Sequence, residues 1–134
     1  MVSGFFDPFH DVHLAYIQYA MNYGDTLLCV VSTDAHVIMK KGSVNIPQED
    51  RLRIVTAILR DMQVPARAVL NVHDKANNMV AEALRYWKPD VFCRGSDKTL
   101  EDMPPEERAA CLDFGILIVH AELAREAHGS KFTY

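Results

Sequence analysis

The sequence predicts an α/β fold in which helices lie on both faces of a doubly wound parallel sheet. Short apolar runs bounded by turn residues alternate with stretches in which apolar residues recur with helical period. The apolar runs are almost unbroken, which is typical of parallel strands covered on both faces. Strands and helices in alternation imply right-handed crossovers between neighbouring strands. Together these observations predict a Rossmann-like sheet of about five parallel strands.

The five predicted strands are the short apolar runs, taken in chain order. Each is short and lies between turn residues, as buried parallel strands should. They cover residues 2–6, 26–32, 66–72, 90–94 and 115–120.

Four helices are predicted between the strands. Amphipathic stretches predict three of them, over residues 12–23, 50–62 and 76–87, and each ends near a glycine or proline. The fourth begins at Pro104-Pro105, because proline suits a first helical turn. Glu106 and Glu107 support it, since carboxylates are favourable at the positive end of a helix dipole.

Length and charge indicate one domain that spans residues 1–134. The chain has 134 residues, of which 49% are hydrophobic and 24% charged, and this is enough to bury a core. Fourteen lysines and arginines against eighteen aspartates and glutamates give a net charge of −4. No excess of positive charge is available to hold a nucleic acid or an anionic membrane, so neither is an expected partner.

Export and membrane signals are not evident in the sequence. No apolar run approaches the ~18 residues of a membrane span, and the first residues lack a charged segment followed by an apolar one. We therefore expect a cytoplasmic protein. Cys29, Cys93 and Cys111 form no Cys-x-x-Cys pair and are predicted to be reduced residues of the core.

The loop after the first strand is the most informative stretch of the chain. In doubly wound sheets, ligands bind beyond the carboxyl ends of the strands. Gly4 at the end of the first strand allows a close approach to the backbone, and Pro8 fixes the following turn. His10 and His13 lie three residues apart where the first helix begins, near its free backbone N–H groups. Two imidazoles beside a helix N-terminus predict an anion site.

The residues of this loop, G-F-F-D-P-F-H-x-x-H, resemble the signature loop of the HxGH nucleotidyltransferases, the cytidylyltransferase-like superfamily. The resemblance extends over nearly the whole chain. Residues 24–34 are similar to the second strand and its exit in glycerol-3-phosphate cytidylyltransferases. Lys40-Lys41 and residues 47–51 resemble the adenylyltransferase half of ADP-heptose synthases. Residues 90–97 resemble the fourth strand exit in both groups, and residues 128–131 lie where these families place a Ser/Thr-rich turn.

The resemblance implies transfer of a nucleotide monophosphate, CMP or AMP, from CTP or ATP to a small phosphorylated acceptor. Glycerol 3-phosphate and a sugar phosphate are candidate acceptors, and pyrophosphate is released. An acceptor oxygen would attack the α-phosphorus in line, while protein donors stabilise the charge on the equatorial oxygens. Mg²⁺ is the implied cofactor, held largely by the phosphates rather than by a carboxylate cage. A homodimer is also expected from the resemblance.

The same resemblance assigns roles to individual residues. His10 and His13 would donate to the triphosphate and to the transition state. Lys40 or Lys41, on a loop that can close, would hold the departing pyrophosphate. The expected nucleotide-binding residues are Gly4, Phe5, Phe6 and Asp7 in the signature loop, Arg94, Gly95 and Asp97 at the fourth strand exit, and Arg125, Gly129 and Ser130 near the end of the chain.

Other interpretations of the signature loop and of the lysines are open at this stage. Asp7, His10 and His13 could bind zinc, since imidazoles three residues apart can share a metal. Asp7 could instead cap the turn through backbone N–H groups. Lys40-Lys41 could be solvated charge, as paired lysines usually are.

Residues outside the signature loop also have simpler interpretations. Arg94 and Asp97 could form a local salt bridge. Arg51 is either an exposed helix former or, from its Pro-x-x-x-Arg spacing, a residue of the active site. Structural roles are expected for the side chains that no motif surrounds and for the large aromatic residues: His36, His73, His120, Phe5, Phe6, Phe9 and Trp87.

Val12 departs from the family pattern, because it stands where the signature has a glycine between the histidines. A branched side chain there occupies space that a base or ribose would use against the backbone. The later turn, His128-Gly129-Ser130, keeps one hydroxyl. Three functions therefore stay open: an active nucleotidyltransferase, a nucleotide-binding module without catalysis, and an assembly domain with an empty pocket.

Overall fold

The computed structural model describes residues 1–95 and 98–122, and within them it has five short parallel strands. All five coincide with predicted strands, although each is shorter than its apolar run. The strands are β1 (Val2–Gly4), β2 (Leu27–Val31), β3 (Ala66–Leu70), β4 (Val91–Arg94) and β5 (Leu117–His120).

The strands form two parallel sheets rather than the single sheet that the sequence predicts. One sheet has the order β1-β2-β3, and the other pairs β4 with β5. The two meet where β1 lies beside β4: the Cys93 N–H donates to the Met1 carbonyl at 3.0 Å, and the Met1 nitrogen donates to the Val91 carbonyl at 2.7 Å. Because β1 is only three residues long and hydrogen-bonds β4 through Met1, no continuous ladder joins the sheets.

Five α-helices connect the strands, one more than the sequence predicts. The first predicted helix ends early and continues as a 3₁₀ turn over Met21–Tyr23. The additional helix follows β2, where the sequence analysis expects a loop. The helices are α1 (Asp11–Ala20), α2 (Asp34–Lys41), α3 (Gln48–Asp61), α4 (Ala81–Trp87) and α5 (Pro105–Phe114).

Residues 76–80 are not helical, which corrects the predicted start of α4. The Asn77 side chain accepts from the Met79 N–H at 3.0 Å and holds the backbone in a turn. The helix begins where the Asp74 carboxylate accepts from the N–H groups of Glu82 at 2.8 Å and Ala83 at 3.0 Å. A cap supplied from outside the helix therefore decides its first turn.

Helices lie on both faces of the sheets, as predicted. In β2, Cys29 and Val31 belong to a core with residues of α1 and α3, whereas Val30 belongs to a second core with α4 and α5. This alternation is the period of a strand covered on both sides. Each fully buried aliphatic side chain contributes roughly 1.5–3 kcal/mol.

All three cysteines are free thiols buried in these cores, as the sequence analysis predicts. In the part of the chain that the structure describes, every helix is too short or too polar to cross a bilayer.

Candidate active site

The candidate site lies where the exit of β1 meets the start of α1. His10 is the N-cap residue of α1, and its Nδ1 accepts the Val12 N–H at 3.3 Å. His13 is the third residue of the helix, and its Nδ1 accepts the His10 N–H at 3.1 Å. Each ring therefore uses Nδ1 as an acceptor, so a neutral ring carries its proton on Nε2. The local backbone fixes the tautomer that can donate to an anion.

The two imidazoles lie face to face, as the anion-site prediction requires. Their ring centroids are 3.9 Å apart and their planes meet at 27°. Phe6 packs edge-on against the His13 ring at 5.1 Å, and Phe9 lies 5.4 Å from it. Burial, then the nearby His10 and Lys41, lowers the pKa of His13 from 6.5 to about 4. His13 is consequently a neutral Nε2–H donor near pH 7.

Asp7 fixes the signature loop to the segment between α2 and α3. Its side chain is buried, and its two oxygens accept the backbone N–H groups of Asn45 at 2.9 Å and Ile46 at 2.7 Å. Asp7 does cap backbone N–H groups, but on a distant segment rather than in its own turn. Both oxygens are occupied, and in residues 1–95 and 98–122 no group of three His, Cys, Asp or Glu side chains could hold a metal ion. The geometry does not favour the zinc interpretation.

Lys40 and Lys41 are the last two residues of α2, so the prediction that they lie on a loop is wrong. The helix forms because Thr33 caps its start and Gly42 ends it with a φ of 88°, in the left-handed region. The Lys41 ammonium donates to the Asp7 carbonyl at 3.2 Å and lies 5.7 Å from the centre of the Phe5 ring. Lys40 is exposed and lines the cavity described below.

Arg51 is completely buried, which excludes the exposed role considered for it. Its guanidinium donates to the carbonyls of Phe5 at 2.7 Å, Ser32 at 2.6 Å and Ile46 at 2.8 Å. It also pairs with Asp34 at 2.9 Å. Arg51 thus joins the exits of β1 and β2 to the segment before α3, and its hydrogen bonds hold these backbone segments together next to the site.

A cavity of about 300 Å³ opens beside the carboxyl ends of β1, β2 and β4. Of the predicted site residues, it brings together Gly4, Phe5, Lys40, Arg94 and Gly95. Neither histidine lines it. Gly4 also has a structural role: it leaves room for the buried Phe6 ring, because a Cβ at this position would lie 2.9 Å from that ring. Phe6 is a core residue rather than a wall of the cavity.

Arg94 lies at the exit of β4, and its guanidinium is bound by other groups of the protein. It donates to the Thr99 carbonyl at 2.6 Å and lies 3.2 Å from His120 Nε2. Its ion-pair partner in the described residues is Asp102, at 3.3 Å. Four predicted site residues lie outside the described residues: Asp97, Arg125, Gly129 and Ser130.

Two cavity residues escaped the sequence analysis. The Tyr16 hydroxyl donates to the Cys93 carbonyl and accepts the Ser3 N–H at 3.3 Å, which joins α1 to β1 and β4. Tyr16 could have been predicted from the sequence, because a residue three positions after His13 lies on the same face of the helix. Glu107 is buried and faces the same cavity from α5. The position of Glu107 in the first turn of α5 does not indicate from the sequence that its side chain points inward.

Comparison with known proteins identifies the family. The Cytidylyltransferase-like family model matches residues 1–128. The chain is 33% identical over 103 residues to FAD synthase of Methanothrix thermoacetophila, a match that covers 76% of this chain and 65% of that protein. It is 33% identical over 107 residues to the bifunctional protein HldE of Cronobacter sakazakii, which covers 77% of this chain and 20% of that protein.

A solved structure shares the fold. A lipopolysaccharide core biosynthesis protein from Thermoplasma volcanium matches with a TM-score of 0.69 and 23% identity, over 92% of this chain and 95% of that one. The family-model match covers nearly the whole sequence and includes the histidine loop, which confirms the resemblance found there. The chain belongs to the cytidylyltransferase-like family of nucleotidyltransferases.

Proposed function

We propose that this chain transfers AMP from ATP to a small phosphorylated acceptor and releases pyrophosphate. The names of its relatives support ATP over CTP, because FAD consists of FMN joined to AMP. The similarity of Lys40-Lys41 and residues 47–51 to the adenylyltransferase half of ADP-heptose synthases points the same way.

The observation that carries the proposal is the orientation of the two imidazoles. Both Nδ1 atoms accept backbone N–H groups, so a neutral ring carries its proton on Nε2, and in His13 this Nε2–H is the donor available to a ligand. Among the described residues, His13 has no other hydrogen bond than the one at Nδ1. The helix N-terminus beside the pair adds favourable partial charge for a polyphosphate.

The reaction follows from this arrangement. An oxygen of the acceptor phosphate attacks the α-phosphorus, a new P–O bond forms, and the bond to the β-phosphate oxygen breaks. The histidine donors stabilise charge on the equatorial oxygens, which is greatest in the transition state. Lys41, held beside the signature loop by the Asp7 carbonyl, lies where it can balance the charge of the departing pyrophosphate. No covalent intermediate on the protein is needed.

Mg²⁺ fits this chain as part of the substrate rather than as a resident ion. The described residues offer no cluster of three acidic, histidine or cysteine ligands, and the Asp7 oxygens are held by backbone N–H groups. An ion that keeps several waters and binds phosphate oxygens needs no such cluster. When bound with the triphosphate, it neutralises charge on the phosphate oxygens.

The test is a screen of ATP, CTP, GTP and UTP with Mg²⁺, first by thermal shift and then by pyrophosphate release with candidate acceptors. We expect stabilisation and turnover with ATP. At one hundred times the dissociation constant, the stabilisation amounts to about 2.7 kcal/mol. Stabilisation by ATP without turnover on any acceptor would favour a binding module, which is the alternative that Val12 in the signature motif raises.

The homodimer and the cytoplasmic location stay predictions. Light scattering coupled to size-exclusion chromatography tests the first, and imaging of the tagged protein in its native cell tests the second.

A further inference from the structure

Two side chains donate to one buried oxygen beside the histidine pair. The carbonyl of Asp7 accepts the Lys41 ammonium at 3.2 Å and the Asn45 side-chain amide at 3.3 Å. Only 2% of Asp7 is exposed, whereas Lys41 and Asn45 are both exposed residues. A carbonyl oxygen has two lone pairs, so it can accept both donors at once. Either donor alone is enough to satisfy this carbonyl.

The backbone fixes the position of Asn45 independently of Lys41. The Asn45 N–H donates to Asp7 Oδ2 at 2.9 Å, and the next N–H, that of Ile46, donates to Asp7 Oδ1 at 2.7 Å. The Ile46 carbonyl accepts the buried Arg51 guanidinium at 2.8 Å. The segment is therefore held at successive backbone groups, which keeps the short Asn45 side chain next to the Asp7 carbonyl.

Lys41 can leave the same oxygen without a movement of the backbone. It is the last residue of α2, and its ammonium is carried on a flexible stem of four carbons. The ammonium lies 5.7 Å from the centre of the Phe5 ring, and its charge is close enough to His13 to help lower the pKa of that ring. A rotation of the side chain is therefore enough to bring the ammonium from the carbonyl to a phosphate held at the histidines.

The cost of that rotation depends on which donor stays at the Asp7 carbonyl. A buried carbonyl that loses its last donor is destabilised, because no new hydrogen bond replaces the lost one. With Asn45 in place, the carbonyl keeps one donor after Lys41 has left. The free energy that Lys41 gains at a phosphate is then not reduced by an unsatisfied oxygen.

Resting on the proposed function, we infer that Asn45 is a positioning residue that frees Lys41 to bind the β- and γ-phosphates of ATP. Without a ligand, Lys41 and Asn45 share the Asp7 carbonyl. When ATP binds with Mg²⁺, Lys41 donates to the phosphates and Asn45 alone satisfies the carbonyl. Asn45 itself touches neither a substrate nor the reacting atoms.

The first experiment measures stability without a ligand, by urea unfolding of the wild-type protein, Asn45→Ala, Lys41→Ala and the double variant. Alanine removes the side-chain amide but keeps the backbone N–H that Asp7 accepts. Each single variant should stay close to wild type, because one donor to the carbonyl remains. The double variant should lose more stability than the sum of the two single losses. Additive losses would overturn the inference, since the two side chains would then not share an acceptor.

The second experiment measures the dissociation constant of ATP with Mg²⁺ for the same four proteins by titration calorimetry. We expect Asn45→Ala to weaken ATP binding roughly five- to hundredfold, the range for a buried acceptor that loses its partner, and by no more than Lys41→Ala does. In the Lys41→Ala background, the substitution of Asn45 should leave the affinity unchanged. The matched control is Asn22→Ala, an exposed asparagine on the 3₁₀ turn that follows α1, and it should leave the affinity at the wild-type value.

Three results would overturn the role of Asn45. These are an ATP affinity that Asn45→Ala does not change, an equal loss with and without Lys41, and a Lys41→Ala variant that binds ATP as well as wild type. The affinity of the wild-type protein separates this inference from the proposed function. If wild type binds ATP and one of these results is found, only the role of Asn45 is wrong. If wild type does not bind ATP, the proposed function is wrong as well.

Discussion

Two helix starts in this molecule share one local geometry and use it for different purposes. At α1, the third helical residue is His13, whose Nδ1 accepts the N–H of the cap residue His10 at 3.1 Å. At α2, the third helical residue is His36, whose Nδ1 accepts the N–H of the cap residue Thr33 at 3.0 Å. Both are capping boxes in which an imidazole takes the place of the usual glutamate or glutamine.

The difference lies at the second nitrogen. Nε2 of His36 donates to the Asp74 carbonyl, and only 2% of the residue is exposed. His13 is half-buried, and the described residues give its Nε2 no hydrogen bond. A capping box orients an imidazole and sets its tautomer, and the surroundings of Nε2 then decide whether the ring serves the fold or a ligand. The contrast predicts that the two histidines respond oppositely to the same substitution.

The largest effect is expected for His13→Ala. Turnover should fall about 10²–10³-fold, because loss of one preorganised transition-state donor has that cost. The free energy of unfolding should change little, since the ring is not in the core. Pyrophosphate release at saturating ATP measures turnover, and denaturant unfolding measures stability. Turnover within a few-fold of wild type would remove His13 from the reaction.

His36→Ala should act on stability instead. The substitution leaves the buried Asp74 carbonyl and the Thr33 N–H without their partner, which costs about 1–3 kcal/mol. Below the melting temperature, turnover per folded molecule should stay close to wild type. Urea unfolding at neutral pH gives the first quantity. A variant as stable as wild type, or one that folds and is inactive, would contradict the distinction between the two histidines.

A smaller effect is expected from pH. The pKa of His13 is lowered to about 4 in the folded protein, against 6.5 for an ordinary histidine. The unfolded chain therefore takes up the proton first, and wild-type stability falls as pH drops from about 6.5 towards about 4. Above pH 6.5 this contribution is fully present. The melting temperatures of wild type and His13→Ala should be similar at neutral pH, and on acidification that of wild type should fall below that of the variant. Parallel curves would show that the pKa is not lowered.

The smallest effect on stability is expected for Val12→Gly, which restores the glycine of the signature. Glycine lowers helix stability relative to valine by a few tenths of a kcal/mol. If the valine side chain obstructs the base, turnover should rise or more triphosphates should be accepted in the four-nucleotide screen. An unchanged rate and preference would mean that the pocket has adapted to the valine.

Much of the fold could be predicted from the sequence, because apolar runs and helical periodicity are local signals. All five described strands and three of the five α-helices follow from them, and Pro104-Pro105 with the following glutamates predicts α5. The division into two sheets could not be predicted, since it depends on a three-residue β1 that meets β4 through Met1. Helix α2 was also missed, because its stabilising features are a capping box at Thr33 and Gly42 in the left-handed region rather than an apolar stripe.

The candidate site shows the same division between local and distant effects. The histidine pair could be predicted, because its geometry comes from residues close in sequence. The partners of Asp7, Arg51 and Glu107 could not, since each binds backbone groups that lie more than ten residues away. Such side chains become recognisable as structural or as ligand-binding only when the segments they join are placed in space.

The most direct test of the site is a long-range ¹H–¹⁵N NMR spectrum of the imidazoles at pH 7, with and without ATP and Mg²⁺. His13 should be neutral with its proton on Nε2, and Nε2 of His36 should carry the proton that it donates to the Asp74 carbonyl. Addition of the triphosphate should shift the Nε2 resonance of His13 and leave that of His36 in place. A His13 ring protonated on Nδ1, or a His13 resonance that ignores ATP while other signals report its binding, would contradict the role of this ring as the donor to the polyphosphate.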